Sequence, residues 1–193
     1  MEKKIPFAPA MMLIDASYLN RVGSDMAKHF APIVNRELPK ADLATLLECL
    51  ALDAGLTLGE NEVQVIFIYQ PKEAQMNFCT PSDLDKELHE VAFKSQLGEF
   101  SVYSFQTSDM ATREDLYLES LMLLGESKEA KRLILVPDED DYGTQVDLRI
   151  NDIKDKECVT VFGMNPPAHE ISYQFELLGF SILQSLGIRA DEL

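Results

Sequence analysis

Pro9-Ala10-Met11-Met12-Leu13-Ile14-Asp15 decides the fold. The run is apolar without alternation and stops at a carboxylate. A strand of a half-exposed antiparallel sheet alternates apolar and polar residues, whereas a strand apolar on both faces belongs inside a parallel sheet covered on each side. Four further stretches read as strands: Val63 to Tyr69, closed by Pro71, then Phe100 to Phe105, Arg132 to Val136 and Cys158 to Phe162.

Helical spacing fills the intervals. Leu43, Leu47, Leu50 and Ala54 recur along Lys40 to Leu58, with Gly55 and Gly59 as stops. Ser82 heads a run to Leu97 with Leu84, Leu88, Val91 and Phe93 largely on one side and Gly98 beyond it. Thr112 caps a helix over Arg113 to Leu124, with Asp115 placed to complete a capping box. Thr144 to Ile153 is read as a helix, and residues 168–186 as a long final one. In that last helix Ile171, Phe175, Leu178, Ile182 and Leu186 form an apolar stripe, widened by Leu177, Phe180 and Leu183. The stripe suits packing on the sheet or a homo-oligomer interface.

Strands and helices in alternation predict a three-layer α/β/α fold around a central, mostly parallel, five-stranded sheet of order 3-2-1-4-5. Residues 1–193 are read as one domain, since Pro166-Pro167 is a loop with too little chain beyond it for a second core.

The chain has 193 residues, 46% of them apolar, and a formal net charge of −16 from 17 Lys+Arg against 33 Asp+Glu. That apolar fraction excludes whole-chain disorder. The charge opposes broad non-specific nucleic-acid binding, which needs a basic face. Cys49, Cys79 and Cys158 are an odd set without C-x-x-C spacing, which suggests neither a disulfide framework nor a zinc site. No signal peptide is read at Met1-Glu2-Lys3-Lys4, and no apolar run reaches membrane-spanning length, so the cytoplasm is the expected compartment.

The predicted order makes the first and fourth strands neighbours at the switch point, where open α/β sheets bind ligands. Asp15 would then meet Asp138-Glu139-Asp140-Asp141, with Asp115 and Glu119 one turn apart on the preceding helix. Crowded carboxylates repel, and a hard divalent ion, Mg²⁺ or Mn²⁺, resolves the conflict. The plainer reading is that these acids cap helices and solvate turns. Asp138 to Gly143 fails as a calcium loop, because Tyr142 and Arg149 stand where oxygen ligands are required. Asp138-Glu139-Asp140 also matches the short D-x-D of nucleotide-sugar transferases, a weaker alternative. His29, His89 and His169 are isolated in sequence.

In this order the residues resemble the NYN and PIN-like ribonuclease domains, a metal-dependent nuclease superfamily. Met12-Leu13-Ile14-Asp15-Ala16-Ser17 is similar to the opening strand of that group. Arg113-Glu114-Asp115 falls at its K-G-x-D helix start, and Leu135-Val136-Pro137-Asp138-Glu139-Asp140-Asp141-Tyr142 at its L-V-S-G-D-x-D-F signature. The Ser-Gly of the signature is Pro137-Asp138 here, the Lys-Gly is Arg113-Glu114, and Tyr18 stands where an Asn is expected, with Asn20 close by. The resemblance implies hydrolysis of RNA phosphodiester bonds, with Asp15, Asp115, Glu139 and Asp141 holding Mg²⁺ or Mn²⁺. Ser17, Asn20, Asp138 and Glu119 are accessory candidates. Any grip on RNA is expected to be local, because Lys128, Lys131 and Arg132 are the compact basic group nearest the site. The alternative is a catalytically silent PIN-like fold that serves as a protein-binding or oligomeric module.

Overall fold

A computed structural model of the protein describes residues 5–193, so Met1 to Lys4, on which the signal-peptide reading falls, lie outside the described residues. The chain begins with Ala10–Asp15 (β1), Ala16–Val34 (α1), Ala41–Asp42 (β2) and Leu43–Asp53 (α2). Asn61–Tyr69 (β3) leads through a short turn at Pro71–Glu73 to Cys79–Thr80 (β4), then to Val91–Ser95 (β5) and Gly98–Gln106 (β6). Arg113–Glu126 (α3), Arg132–Val136 (β7), Glu139–Asn151 (α4), Cys158–Gly163 (β8), Gln174–Leu177 (β9) and Leu178–Ser185 (α5) follow.

The main sheet has seven strands in the order β5-β6-β3-β1-β7-β8-β9, parallel throughout except for β5. The two short strands β2 and β4 pair separately. This is a mixed α/β protein with a large, mostly parallel sheet flanked by helices. The count and order correct the five-stranded expectation, because β5 and β9 add a strand at each edge.

All six residues of β1 are buried, as its unbroken apolar run requires. Met12 and Ile14 pack on one face with Leu46, Leu50, Phe67, Leu178 and Ile182. Met11 and Leu13 pack on the other with Tyr117, Leu121, Tyr142, Val146 and Ile150. Truncating such a side chain to alanine typically costs about 2–5 kcal/mol.

Three helical expectations are corrected. The run after Ser82 is not a helix but a turn followed by the β5–β6 hairpin: the Asp83 carboxylate accepts the amides of Asp85 and Lys86, and Val91 and Phe93 alternate on one face. Gly98 sits at φ +130°, where a Cβ would collide with the Asn61 backbone of β3, so the turn needs glycine. The long helix at residues 168–186 is instead β9 followed by the eight-residue α5, because Gln174-Phe175-Glu176-Leu177 pairs with Thr160–Gly163 of β8. The helix expected from Thr144 starts earlier, at Glu139, behind an Asp138 cap. Helix α1 was not anticipated at all. Among the described residues, no helix is long and apolar enough to cross a membrane.

Candidate functional site

Strands β1 and β7 lie side by side, and each hands its chain to a helix through an aspartate. The Asp15 carboxylate accepts the Tyr18 amide at 3.0 Å and starts α1. Asp138 accepts the amides of Asp140 and Asp141 at 3.2 and 3.3 Å and starts α4. An aspartate at this position satisfies amides that the helix itself leaves unpaired.

Between the two aspartates sits Arg113, the first residue of α3. Its Nη1 donates to Asp15 Oδ2 at 2.6 Å and to Asp138 Oδ2 at 3.3 Å. Arg21 approaches from α1, donating from Nη2 to Asp138 Oδ1 at 3.1 Å and to Asp140 Oδ2 at 3.3 Å, with its guanidinium 5.2 Å from the Tyr18 ring centre. The Tyr142 hydroxyl closes the cluster, donating to Asp15 Oδ2 at 2.5 Å from a point where the α4 backbone leaves helical geometry. The Asp15 and Asp138 side chains are 0% and 2% exposed and that of Arg113 14%, which makes this a buried ion cluster rather than a solvated one.

The electrostatics follow from burial. Loss of water pushes the Asp15 carboxyl above the usual carboxylate range, and the Tyr142 hydroxyl, the Arg113 charge and the Tyr18 amide offset only part of this. Burial alone would lower Arg113, but the charges of Asp15 and Asp138 hold it above its ordinary value, so it stays protonated. The Tyr142 phenol is driven far up by burial and then by Asp15, and remains a donor.

The remaining acids do not join the cluster. Asp115 is exposed and committed to the capping box expected for it: the Thr112 amide donates to its Oδ2 at 3.0 Å, and its own amide donates to Thr112 Oγ1 at 3.1 Å. Those bonds hold its carboxyl below the ordinary range. Glu119 lies exposed one turn further along α3, and Asp141 is exposed on α4. Glu139 is a neighbour with a different task, since its Oε1 accepts the Tyr18 hydroxyl and the Met164 amide, both at 2.9 Å. A Cβ at Gly163 would meet Glu139 Oε2, so a larger residue there would have to displace the carboxylate that ties α4 to the end of β8. The Ser17 hydroxyl donates to Glu73. Asn20 Oδ1 and Arg113 Nε are buried without a hydrogen-bond partner.

As arranged, the four carboxylates do not fit a shared divalent ion. A guanidinium fills the space between Asp15 and Asp138, Asp115 is committed to its own helix start, and Asp141 faces solvent. Among the described residues no three His, Cys, Asp or Glu side chains are grouped as metal ligands. The D-x-D pair, Asp138 and Asp140, is held by Arg21.

Two histidines read as isolated have partners. His169 Nε2 lies 3.0 Å from Asp147 Oδ2, beside a cavity of about 190 Å³, and Asp147 Oδ1 also accepts the Tyr173 hydroxyl at 2.7 Å. His89 Nδ1 accepts the Ser104 amide at 3.1 Å.

Sequence reasoning missed Arg113, Arg21 and Tyr142 as members of the site. One signal for Arg113 was present: a cation at the first position of a helix opposes the macrodipole, and needs carboxylates nearby to hold it there.

Fold and site together define a class: an α/β protein with a mostly parallel sheet whose switch-point crevice is closed by an internal ion cluster. The chain belongs to the family described as "Family of unknown function (DUF6621)", whose sequence pattern matches residues 4–193. No curated protein and no solved structure matches it.

Proposed function

We propose that the protein is a catalytically silent relative of the NYN and PIN-like ribonuclease domains, retained as a protein-binding or oligomeric module. The observation that carries this reading is the position of Arg113. In the ribonuclease reading Asp15 is one of the four metal ligands; here its Oδ2 takes both the Arg113 guanidinium and the Tyr142 hydroxyl, and Arg113 also spans to Asp138. A fixed guanidinium supplies the positive charge that a divalent ion would otherwise bring to paired carboxylates. It does so without open coordination positions, so it activates no water.

The charge balance supports the same reading. Two of the chain's 17 basic residues are already paired with the carboxylates of this cluster, and a net charge of −16 repels a phosphate backbone. Free, reduced thiols at Cys49, Cys79 and Cys158 suit a cytoplasmic setting.

The test is incubation of the purified protein with labelled single-stranded RNA and Mn²⁺, alongside calorimetric titration with Mn²⁺. No cleavage and no binding heat are expected. Mn²⁺-dependent cleavage that disappears in Asp15→Ala overturns the reading in favour of the nuclease.

A further inference from the structure

One strand over from the closed crevice, the carboxyl ends of β7 and β8 border a second cavity, the one of about 190 Å³ beside His169. Its walls come from α4, from Pro137 and Phe162 near the two strand ends, and from the connection that leads to β9. Val146, Val161, Phe162 and Phe175 make part of the lining apolar. A cavity of about 150 Å³ admits one small ring, and drug-sized ligands need about 300 Å³ or more, so this one has room for a single short chain.

Two carboxylates line it, in different states. Asp147 is matched, because one oxygen faces His169 Nε2 and the other accepts the Tyr173 hydroxyl. Glu139 is not. The start of α4 favours a carboxylate, and Glu139 Oε1 accepts the Tyr18 hydroxyl and the Met164 amide. Its Oε2, however, has no donor, and Glu139 pairs with no Lys, Arg or His among the described residues. That oxygen stands beside Gly163 and the Phe175 ring, since a Cβ on Gly163 would meet both. Among the described residues, no Lys or Arg lines the cavity. Thr144 and Asn165, both exposed, add a hydroxyl and an amide to the lining.

We propose that this cavity binds a primary alkylammonium group, with the nitrogen at Glu139 Oε2 and the carbon chain along the apolar wall. The alternatives fit less well. An anion would meet the Glu139 charge with no Lys or Arg to offset it. A hard divalent ion needs several oxygen ligands, and no three His, Cys, Asp or Glu side chains are grouped for one among the described residues. A guanidinium pairs best with both oxygens of a carboxylate, and Oε1 is already engaged. An ammonium is a compact point charge that one carboxylate oxygen serves, with neutral acceptors such as Thr144 and Asn165 for its other protons. The aromatic wall favours a cation as well. A free small amine and a lysine side chain of another protein share this chemistry. The site uses none of Asp15, Arg113 and Asp138, so its fate and that of the module reading are decided separately.

The full chain, isotope-labelled, is titrated with n-butylammonium chloride and with N-acetyl-lysine methylamide while its amide resonances are followed by NMR. Sodium chloride at matched ionic strength, n-butanol and magnesium chloride are the controls. Saturable shifts centred on Thr144, Asn165 and Phe175 are expected from both ammonium probes and from no control. Tighter binding of the lysine derivative assigns the site to a lysine of another protein, and tighter binding of n-butylammonium to a free amine; both support the site. Glu139→Gln keeps an acceptor for Tyr18 and Met164 but removes the charge, and is expected to weaken binding about tenfold. Thr144→Lys, at an exposed position, supplies an ammonium from the rim and is expected to abolish binding. Gln145→Lys adds the same charge one residue away, outside the cavity, and is expected to leave binding nearly unchanged. The absence of any saturable shift overturns the proposal. So do equal shifts with n-butanol, magnesium acting on the same amides at lower concentration, indifference to Glu139→Gln, or equal loss in Gln145→Lys. If Glu139→Gln fails to fold, the two lysine variants decide alone.

Discussion

Replacing Arg113 with methionine keeps most of the side-chain volume and removes the only guanidinium that touches Asp15. Two carboxylates, 0% and 2% exposed, are then left facing each other, with Arg21 reaching only Asp138. Removing one partner from a buried pair costs about 3–5 kcal/mol, because the remaining charge is stranded out of water. Arg113 is itself only 14% exposed, so solvent screening takes little off that figure. For a chain of this length it corresponds to a drop in melting temperature of roughly 6–20 °C. Urea unfolding followed by circular dichroism at neutral pH measures it, and an unchanged slope shows that the native state has kept its compactness. The deficit should shrink as pH falls, because Asp15, already held above the usual carboxylate range by burial, takes up a proton and the stranded charge is removed. Adding Asp15→Asn to the variant should recover much of the loss. Mn²⁺ should also stabilise the single variant, by about 1.4 kcal/mol at a free concentration tenfold above its dissociation constant, while leaving the parent unmoved. A loss below about 1 kcal/mol would place the contact among ordinary surface pairs and refute the claim that Arg113 neutralises the site.

Two further outcomes are expected. Burial pushes the Cys79 thiol up to about 12 and also raises Cys49, so a disulfide reagent at mildly alkaline pH should label the half-buried Cys158 first and the other two only after unfolding; equal labelling of all three refutes this. The Arg36 guanidinium, 2.8 and 3.1 Å from the carboxylate, holds Glu192 down to about 2, helped by the Arg189 amide. The tie is therefore complete above the ordinary value of 4.5 and is lost as pH falls from there toward 2. Arg36→Gln should move the Glu192 midpoint, followed by NMR, up toward that ordinary value, and an unmoved midpoint refutes the pairing.

The inner strands were legible because burial on both faces leaves an unambiguous mark: Met11 to Ile14, Val65 to Ile68 and Leu133 to Val136 have no polar face to hide. Edge strands carry no such mark. Leu84, Leu88, Val91 and Phe93 imitate a helical stripe, and only the pairing with Phe100 and Val102 makes Val91–Ser95 a strand. Ile171 to Leu186 misled in the same way, because the four residues of β9 interrupt an apolar pattern that continues into α5. Helix α1 contains Gly23 and Pro32, two residues that argue against a helix when read alone. Gly23 is explained by tertiary contact, since a Cβ there would press on the Phe78 ring.

At the site, Asp15 and Asp138 were readable from their places after apolar runs, and Asp115 from its capping spacing. What sequence did not carry was the answer to their crowding. Arg113 is 98 residues from Asp15, and its place at a helix start, though unfavourable for a cation, does not say which carboxylates hold it there.

That separation has a kinetic consequence. Asp15 caps α1 through a neighbour three residues away, but its ties to Arg113 and Tyr142 span 98 and 127 residues. Contacts of such long range form late, after the sheet has brought its distant segments together. Interactions absent from the transition state act on escape from the native basin rather than on entry into it. The ion cluster is thus a clasp closed at the end of folding. Its loss should leave the refolding rate nearly untouched and shorten the lifetime of the folded molecule.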